Sequence, residues 1–173
     1  MPEPGSSELT VMVVDDHPIW RDAVARDLED SGFTVVATAD GVAAAGRRAA
    51  VVKPQVVVMD MRLSDGSGVE ATIQVLAVSP ASRVLVLSAS DERDDVLEAV
   101  KAGATGYLVK SASKTELAGA VTFTETLAQT GVVLDSAVSF VQGAGSLNGA
   151  VDMWVPHFSE VWKDMEWAGG RHD

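Results

Sequence analysis

The chain has 173 residues, 47% of them hydrophobic, with 25 acidic side chains against 13 Lys and Arg and no cysteine. That length holds one ordinary domain plus a modest extension, and the absence of thiols excludes disulfides, thiol catalysis and Cys-ligated zinc. A formal charge of −12 argues against a broad nucleic-acid surface. With no basic, apolar leader and no apolar run of the ~20 residues that span a bilayer, a soluble cytoplasmic protein is expected.

Residues 1–8 are acidic and rich in Pro, Gly and Ser, and read as a disordered lead-in. Leu9 to Val14 is a short apolar strand ending at Asp15-Asp16, and His17-Pro18 opens a helix, since Pro is tolerated in a first turn. Ile19, Ala23, Val24 and Leu28 give that helix an apolar stripe, ended by Ser31-Gly32. Phe33 to Ala39 is a second strand, and the Ala-rich segment Val42 to Val52 a helix closed by Pro54. Gln55 to Asp60 is an apolar run ending in a carboxylate, the pattern of a buried central strand, with a helix over Val69 to Val78 after its loop. Arg83 to Leu87 is a fourth strand ending at Ser88. A helix from about Glu92 to Ala102 with an apolar face at Val96, Leu97 and Val100 follows, stopped by Gly103. Gly106 to Val109 is a fifth strand ending at Lys110, and Ser113 with Glu116 three residues on is a capping box for a last helix. Five strands alternating with helices predict an α/β fold with a parallel sheet.

In such a sheet the ligand crevice lies outside the carboxyl ends of the strands. Those ends carry Asp15 and Asp16, Asp60, Ser88 and Lys110. Taken alone, Asp60 could equally start a loop or cap a helix, a strand-end lysine is commonly just solvated, and a serine commonly a turn residue. Together they make a chemical set. Three converging carboxylates repel unless a cation joins them, and oxygen-only ligands suit a hard ion such as Mg²⁺. A lysine and a hydroxyl beside that ion can bind phosphoryl oxygens, and an aspartate can serve as the covalent nucleophile.

The segments Val13-Val14-Asp15-Asp16-His17-Pro18, Val58-Met59-Asp60-Met61-Arg62, Leu87-Ser88-Ala89 and Gly106-Tyr107-Leu108-Val109-Lys110 resemble the CheY-like receiver domain of two-component response regulators. The Asp-Asp-His-Pro and Gly-Tyr-Leu-x-Lys forms are most similar to its NarL/FixJ branch. The resemblance covers residues 9–130. It implies a doubly wound (βα)5 fold with strand order 2-1-3-4-5, and Asp60 as acceptor of a phosphoryl group from a sensor histidine kinase. It further implies that Asp16 ligates Mg²⁺ directly and Asp15 mainly through water, with Asp60 and the backbone carbonyl of Arg62 completing the protein ligands. Lys110 would pair with Asp60 and then with the phosphate; Ser88 would turn to the phosphoryl oxygen and Tyr107 would follow inward. That motion would reshape the surface of the fourth helix, fifth strand and fifth helix and so control dimerisation or partner binding. By the same resemblance the chain is no enzyme beyond its own phosphoryl transfer and autodephosphorylation. Tyr107 as half-buried packing is an equal alternative, and His17 reads as a rim residue rather than a phosphoacceptor.

Two positions depart from the family pattern. Ser64 stands four residues after the acceptor where many receivers have Pro, which predicts a less rigid loop. Ser111 follows Lys110 where many have a cis Pro, and a cis bond without Pro costs about 3 kcal/mol, so a trans bond is expected. Arg62 and Ser90 occupy positions that tune dephosphorylation in the family.

Beyond the receiver, 131–150 reads as a linker centred on Gln142 to Gly149, and 151–173 as a short aromatic tail. Trp154, Phe158 and Trp162 are spaced by four, as in one amphipathic helix; the alternatives are docking on a partner or a second copy, and a truncated end with only incidental contacts. A NarL/FixJ regulator normally continues into a helix-turn-helix domain. The 42 residues from Val132 to Asp173 hold two basic against six acidic residues, a net of −4, and no recognition helix, so direct DNA binding by this chain is not expected. Two other function classes compete with the phosphorylated receiver. A phosphorylation-independent interaction module would usually have lost Asp60, Ser88 or Lys110, and an aspartyl-phosphate hydrolase would place a second Asp where Arg62 stands.

Overall fold

Three apolar runs, Val11–Val14, Val56–Met59 and Val84–Val86, lack the polar alternation of a half-exposed strand, and in the computed structural model every residue in them is at most 1% exposed. The described residues are 8–89, 95, 98, 99 and 101–129. Expectations for residues 1–7, for most of the predicted fourth helix with Ser90, and for the linker and aromatic tail lie outside them.

The chain runs β1 (Thr10–Val14), α1 (Pro18–Asp30), β2 (Thr34–Ala39), α2 (Val42–Val52), β3 (Val56–Asp60), β4 (Arg62–Leu63), β5 (Gly66–Ser67), α3 (Gly68–Val78), β6 (Arg83–Ser88), β7 (Gly106–Val109) and a last helix, Lys114–Gln129. The main sheet is parallel in the order β2-β1-β3-β6-β7. Counting its own five strands, that is the expected 2-1-3-4-5. β4 and β5 are an antiparallel pair inside the loop after β3, two residues each, too short to leave a periodic signal in the sequence. β3 is central, with β1 and β6 beside it. β2, at the edge, is only partly buried over most of its length and has an irregular register between Val11 and Met12 of its neighbour.

Helix ends follow local chemistry. α2 ends at Lys53, whose φ of 46° is left-handed, just before Pro54. Glu98 and Ala99 accept from Ala102 and Ala104, and Gly103 between them sits at φ 107°, a conformation glycine adopts without Cβ strain. Ser113 Oγ accepts from Glu116 N at 3.1 Å, one arm of the predicted capping box, while Glu116 Oε2 has no hydrogen-bond partner.

The apolar stripe of α1 is rotated from its expected position. Val24 and Leu28 are buried, but Ile19 is 88% exposed and Ala23 faces out, and Trp20 packs against the core in their place. Positions 20, 24 and 28 form a row at i, i+4, i+8, which is one face of a helix. No helix among the described residues is long and apolar enough to cross a membrane.

Candidate functional site

The register of the sheet brings the strand ends to one edge. Val14 pairs with Met59, Asp60 with Leu87, and Ser88 with Val109, so Asp15, Asp60, Ser88 and Lys110 occupy adjacent steps at the carboxyl ends of β1, β3, β6 and β7. Lys110 N donates to Ser88 O at 2.7 Å, which continues the ladder one residue past β7. Asp15, Asp60 and Ser88 are all buried at 5% exposure or less, and Asp16 and Lys110 are partly buried. Tyr107, two residues before the end of β7, is buried opposite Val86.

Lys110 is shared between two carboxylates. Its Nζ lies 3.1 Å from Asp15 Oδ2 and 3.3 Å from Asp60 Oδ2. Asp15 is further engaged by His17 N, which donates to Oδ1 at 2.9 Å, and Arg21 Nη1 donates to its backbone carbonyl at 2.9 Å. Burial, then the neighbouring Asp15 charge, holds the Asp60 carboxyl above the usual carboxylate range; Lys110 and the backbone N–H of Arg62 pull the other way. Asp16 is differently placed. Its Oδ1 lies 2.9 Å from His17 Nδ1 without hydrogen-bond geometry, and this buried oxygen accepts no hydrogen bond. One ligand atom each from Asp15, Asp16, His17 and Asp60 all lie within 4.8 Å of one another. Three carboxylates in that volume, one of them with a buried oxygen that accepts no hydrogen bond, fit a divalent cation held mainly by oxygen.

The loop after Asp60 is tied at three points. β4 and β5 pair Arg62 with Ser67 and Leu63 with Gly66. Ser67 Oγ accepts from Glu70 N at 3.2 Å and caps α3. Asp65, at the hairpin turn, accepts from Val42 N at 2.8 Å and Ala43 N at 3.3 Å, and so caps α2, whose own N-cap residue is Gly41. These two hydrogen bonds hold the Asp65 carboxyl below its ordinary range. Gly41 has to be small, because a Cβ there would come 2.5 Å from Asp65 Oδ1. Gly68 carries a close approach: a Cβ on it would press on the Asp60 carbonyl and lie 2.7 Å from Met61 Cα, so the first turn of α3 sits directly against the backbone at the end of β3. The Lys110–Ser111 bond is trans, as expected, no cis peptide occurring among the described residues.

Residues 11–122 match the family profile described as the response regulator receiver domain. The chain belongs to this family. The probable transcriptional regulatory protein NarL of Mycobacterium tuberculosis is 37% identical over 122 residues, which are 70% of this chain and 56% of that protein. The DNA-binding transcriptional activator DevR/DosR of the same organism is 39% identical over 64% of this chain and 52% of its own length. This receiver chain therefore spans about half the length of the full regulators it matches. The chemotaxis protein CheY of Listeria monocytogenes, 33% identical, is matched over 86% of its length and 59% of this chain. Among solved structures, the signal receiver domain of NarL from M. tuberculosis superposes with a TM-score of 0.66 at 35% identity, covering 69% of this chain and 98% of that one.

All the receiver residues expected from sequence and described here, Asp15, Asp16, Asp60, Arg62, Ser88, Tyr107 and Lys110, lie at or next to this edge. Sequence reasoning missed Trp20, whose ring lies under the Lys110 ammonium at 5.1 Å from its centroid, and the bracing roles of Asp65 and Gly68. An aromatic residue five positions after Asp15 on the first turn of a helix was the available signal for Trp20. Asp65 acts across 23 residues of chain and left none.

Proposed function

We propose that this receiver is the cytoplasmic phosphoacceptor of a two-component pathway, with Asp60 as the residue that takes the phosphoryl group from a sensor histidine kinase. The reading rests above all on one arrangement: Asp60, buried and paired to Lys110, beside an oxygen of Asp16 that accepts no hydrogen bond. A carboxylate oxygen of Asp60 attacks phosphorus, the P–N bond to the donor imidazole breaks, and an acyl phosphate forms; hydrolysis returns the carboxylate and inorganic phosphate. Asp16 would ligate Mg²⁺ directly, with Asp60 and the carbonyl of Arg62 as the other protein ligands. Asp15, whose oxygens are already engaged by His17 N and Lys110, would contribute mainly through water. When bound, the ion supplies charge neutralisation for the carboxylates and for phosphoryl oxygens. Lys110 exchanges its contacts with Asp15 and Asp60 for a phosphoryl oxygen, and the Ser88 hydroxyl turns to another. Tyr107, on the strand beside Ser88, carries the change to the surface of the predicted fourth helix, β7 and the last helix. There it controls a homodimer or a partner protein.

The test is direct. The full chain is incubated with Mg²⁺ and a small acyl phosphate and its intact mass is measured. We expect one added phosphoryl group, absent in Asp60→Asn and absent when the divalent ion is chelated. A chain that takes up no phosphoryl group under any of these conditions would instead be a phosphorylation-independent interaction module.

A further inference from the structure

Lys110 has three neighbours of consequence, and only two of them are carboxylates. Besides Asp15 Oδ2 and Asp60 Oδ2, its Nζ stands over the ring of Trp20, 5.1 Å from the centroid, and the lysine side chain is 18% exposed. A cation over an aromatic face is attracted by the ring quadrupole, most strongly over Trp and more so when water is excluded. Lysine is a point charge on a flexible four-carbon stem with no preferred direction of its own. If it is to leave two carboxylates for a phosphoryl oxygen and later return, something has to limit where else it can go.

A plain packing role is the competing account, since Trp20 lies against the core in a cleft with Val24, Leu87 and Leu117. The indole nitrogen speaks against packing alone. Trp20 Nε1 is buried and has no hydrogen-bond partner, and an orphaned N–H is a cost that Leu or Phe would avoid in an apolar cleft. What tryptophan offers there that leucine does not is the cation-binding face.

We propose that Trp20 is a positioning residue for phosphoryl transfer, acting through Lys110 by holding the ammonium beside the carboxylates of Asp15 and Asp60. The proposal rests on the phosphoacceptor reading of Asp60. The experiment uses the full chain, with Mg²⁺ saturating and a small acyl phosphate as donor, and reads the initial rate of phosphoryl incorporation by intact mass. Trp20→Leu slows incorporation on the order of tenfold, while Trp20→Phe, which keeps a π face, recovers most of the rate. In a Lys110→Met background Trp20→Leu has no further effect, because the residue through which it acts is gone. A Trp20→Leu chain that is folded by circular dichroism and incorporates at the wild-type rate overturns the proposal. So does a slowing that persists undiminished with Lys110→Met. A second readout does not depend on any variant folding: in the wild-type chain the ε-methylene protons of Lys110 are shifted upfield by the ring current of Trp20, and unshifted protons overturn the proposal. A wild-type chain that takes no phosphoryl group removes the phosphoacceptor reading, and the ring-current shift then still decides whether the indole holds the ammonium.

Discussion

The two edges of the same sheet handle buried polarity in opposite ways. At the amino edge, where β1, β3 and β6 begin, four neutral polar side chains, those of Thr10, Gln55, Ser79 and Ser82, are satisfied by hydrogen bonds. Ser79 and Ser82 share a hydrogen bond of 2.7 Å, Ser82 Oγ donates to Pro54 O at 2.5 Å, and Gln55 Oε1 accepts from Thr10 N at 2.9 Å while Gln55 N donates to Thr10 Oγ1 at 3.0 Å. At the carboxyl edge the groups are charged and incompletely paired: two buried aspartates divide one lysine, and an oxygen of a third has no hydrogen-bond partner. Strands of the same apolar composition run between the two. Satisfied polarity closes a fold, whereas unsatisfied charge at a strand end is a place where a ligand or a covalent group can lower the energy.

The largest effect expected from breaking this contrast is at the amino edge. Ser82→Ala removes a donor to the Pro54 carbonyl and a partner of Ser79, and leaves both buried without replacement. Stability should fall by about 1–3 kcal/mol, the cost of an unsatisfied buried group, read as a lower midpoint in urea. Phosphoryl incorporation by the folded fraction should be unchanged. A variant that loses incorporation while keeping its midpoint would show that the edges are not separable.

The carboxyl edge should respond with the opposite sign. Because the carboxyl of Asp60 is raised above its ordinary 3.8 in the folded chain, the folded state binds more protons than the unfolded one in the window above that value. Stability therefore falls as pH rises from 3.8 through the folded pKa, in buffer without divalent cation. Asp60→Asn removes that loss, so the variant should melt at a higher temperature than the wild type at neutral pH without Mg²⁺, and the gap should narrow when Mg²⁺ is added to both. Equal melting temperatures without the ion would mean that Lys110 already compensates the buried charge in full.

How far each edge could be read from sequence follows from the kind of signal it leaves. Apolar runs ending in Asp15, Asp60, Ser88 and Lys110 mark the carboxyl edge in one dimension, because the register of a parallel sheet converts strand ends into neighbours. The strand order came from the family resemblance, since periodicity alone does not order strands. Trp20 was missed because apolar spacing fixes the period of a helix more firmly than its phase: Ile19 and Ala23 fit the same repeat as Trp20 and Val24, and only packing selects between them. The amino-edge pairs and the Asp65 cap were invisible for a different reason. Apart from the Ser79–Ser82 pair, these bonds join segments more than 20 residues apart, such as Ser82 with Pro54, and no local pattern announces such a bond.

The smallest effect should come from a polar group that belongs to the site loop yet is satisfied like those at the amino edge. Asp65 is fully engaged at the N-terminus of α2, and its carboxyl is depressed by the hydrogen bonds from Val42 and Ala43. For a depressed carboxylate the stabilising contribution is present above 3.8 and is lost as pH falls through the folded pKa. Asp65→Asn keeps an acceptor oxygen and removes the charge at a helix N-terminus, so it should lower the melting temperature slightly at neutral pH and erase the difference at acid pH, where the wild-type group is protonated. The same substitution should leave the yield of phosphoryl adduct intact, because Asp65 touches α2 and none of the carboxylates around Lys110. A drop in adduct yield at unchanged melting temperature would move Asp65 out of the satisfied group and make the loop between Asp60 and α3 part of the reacting edge.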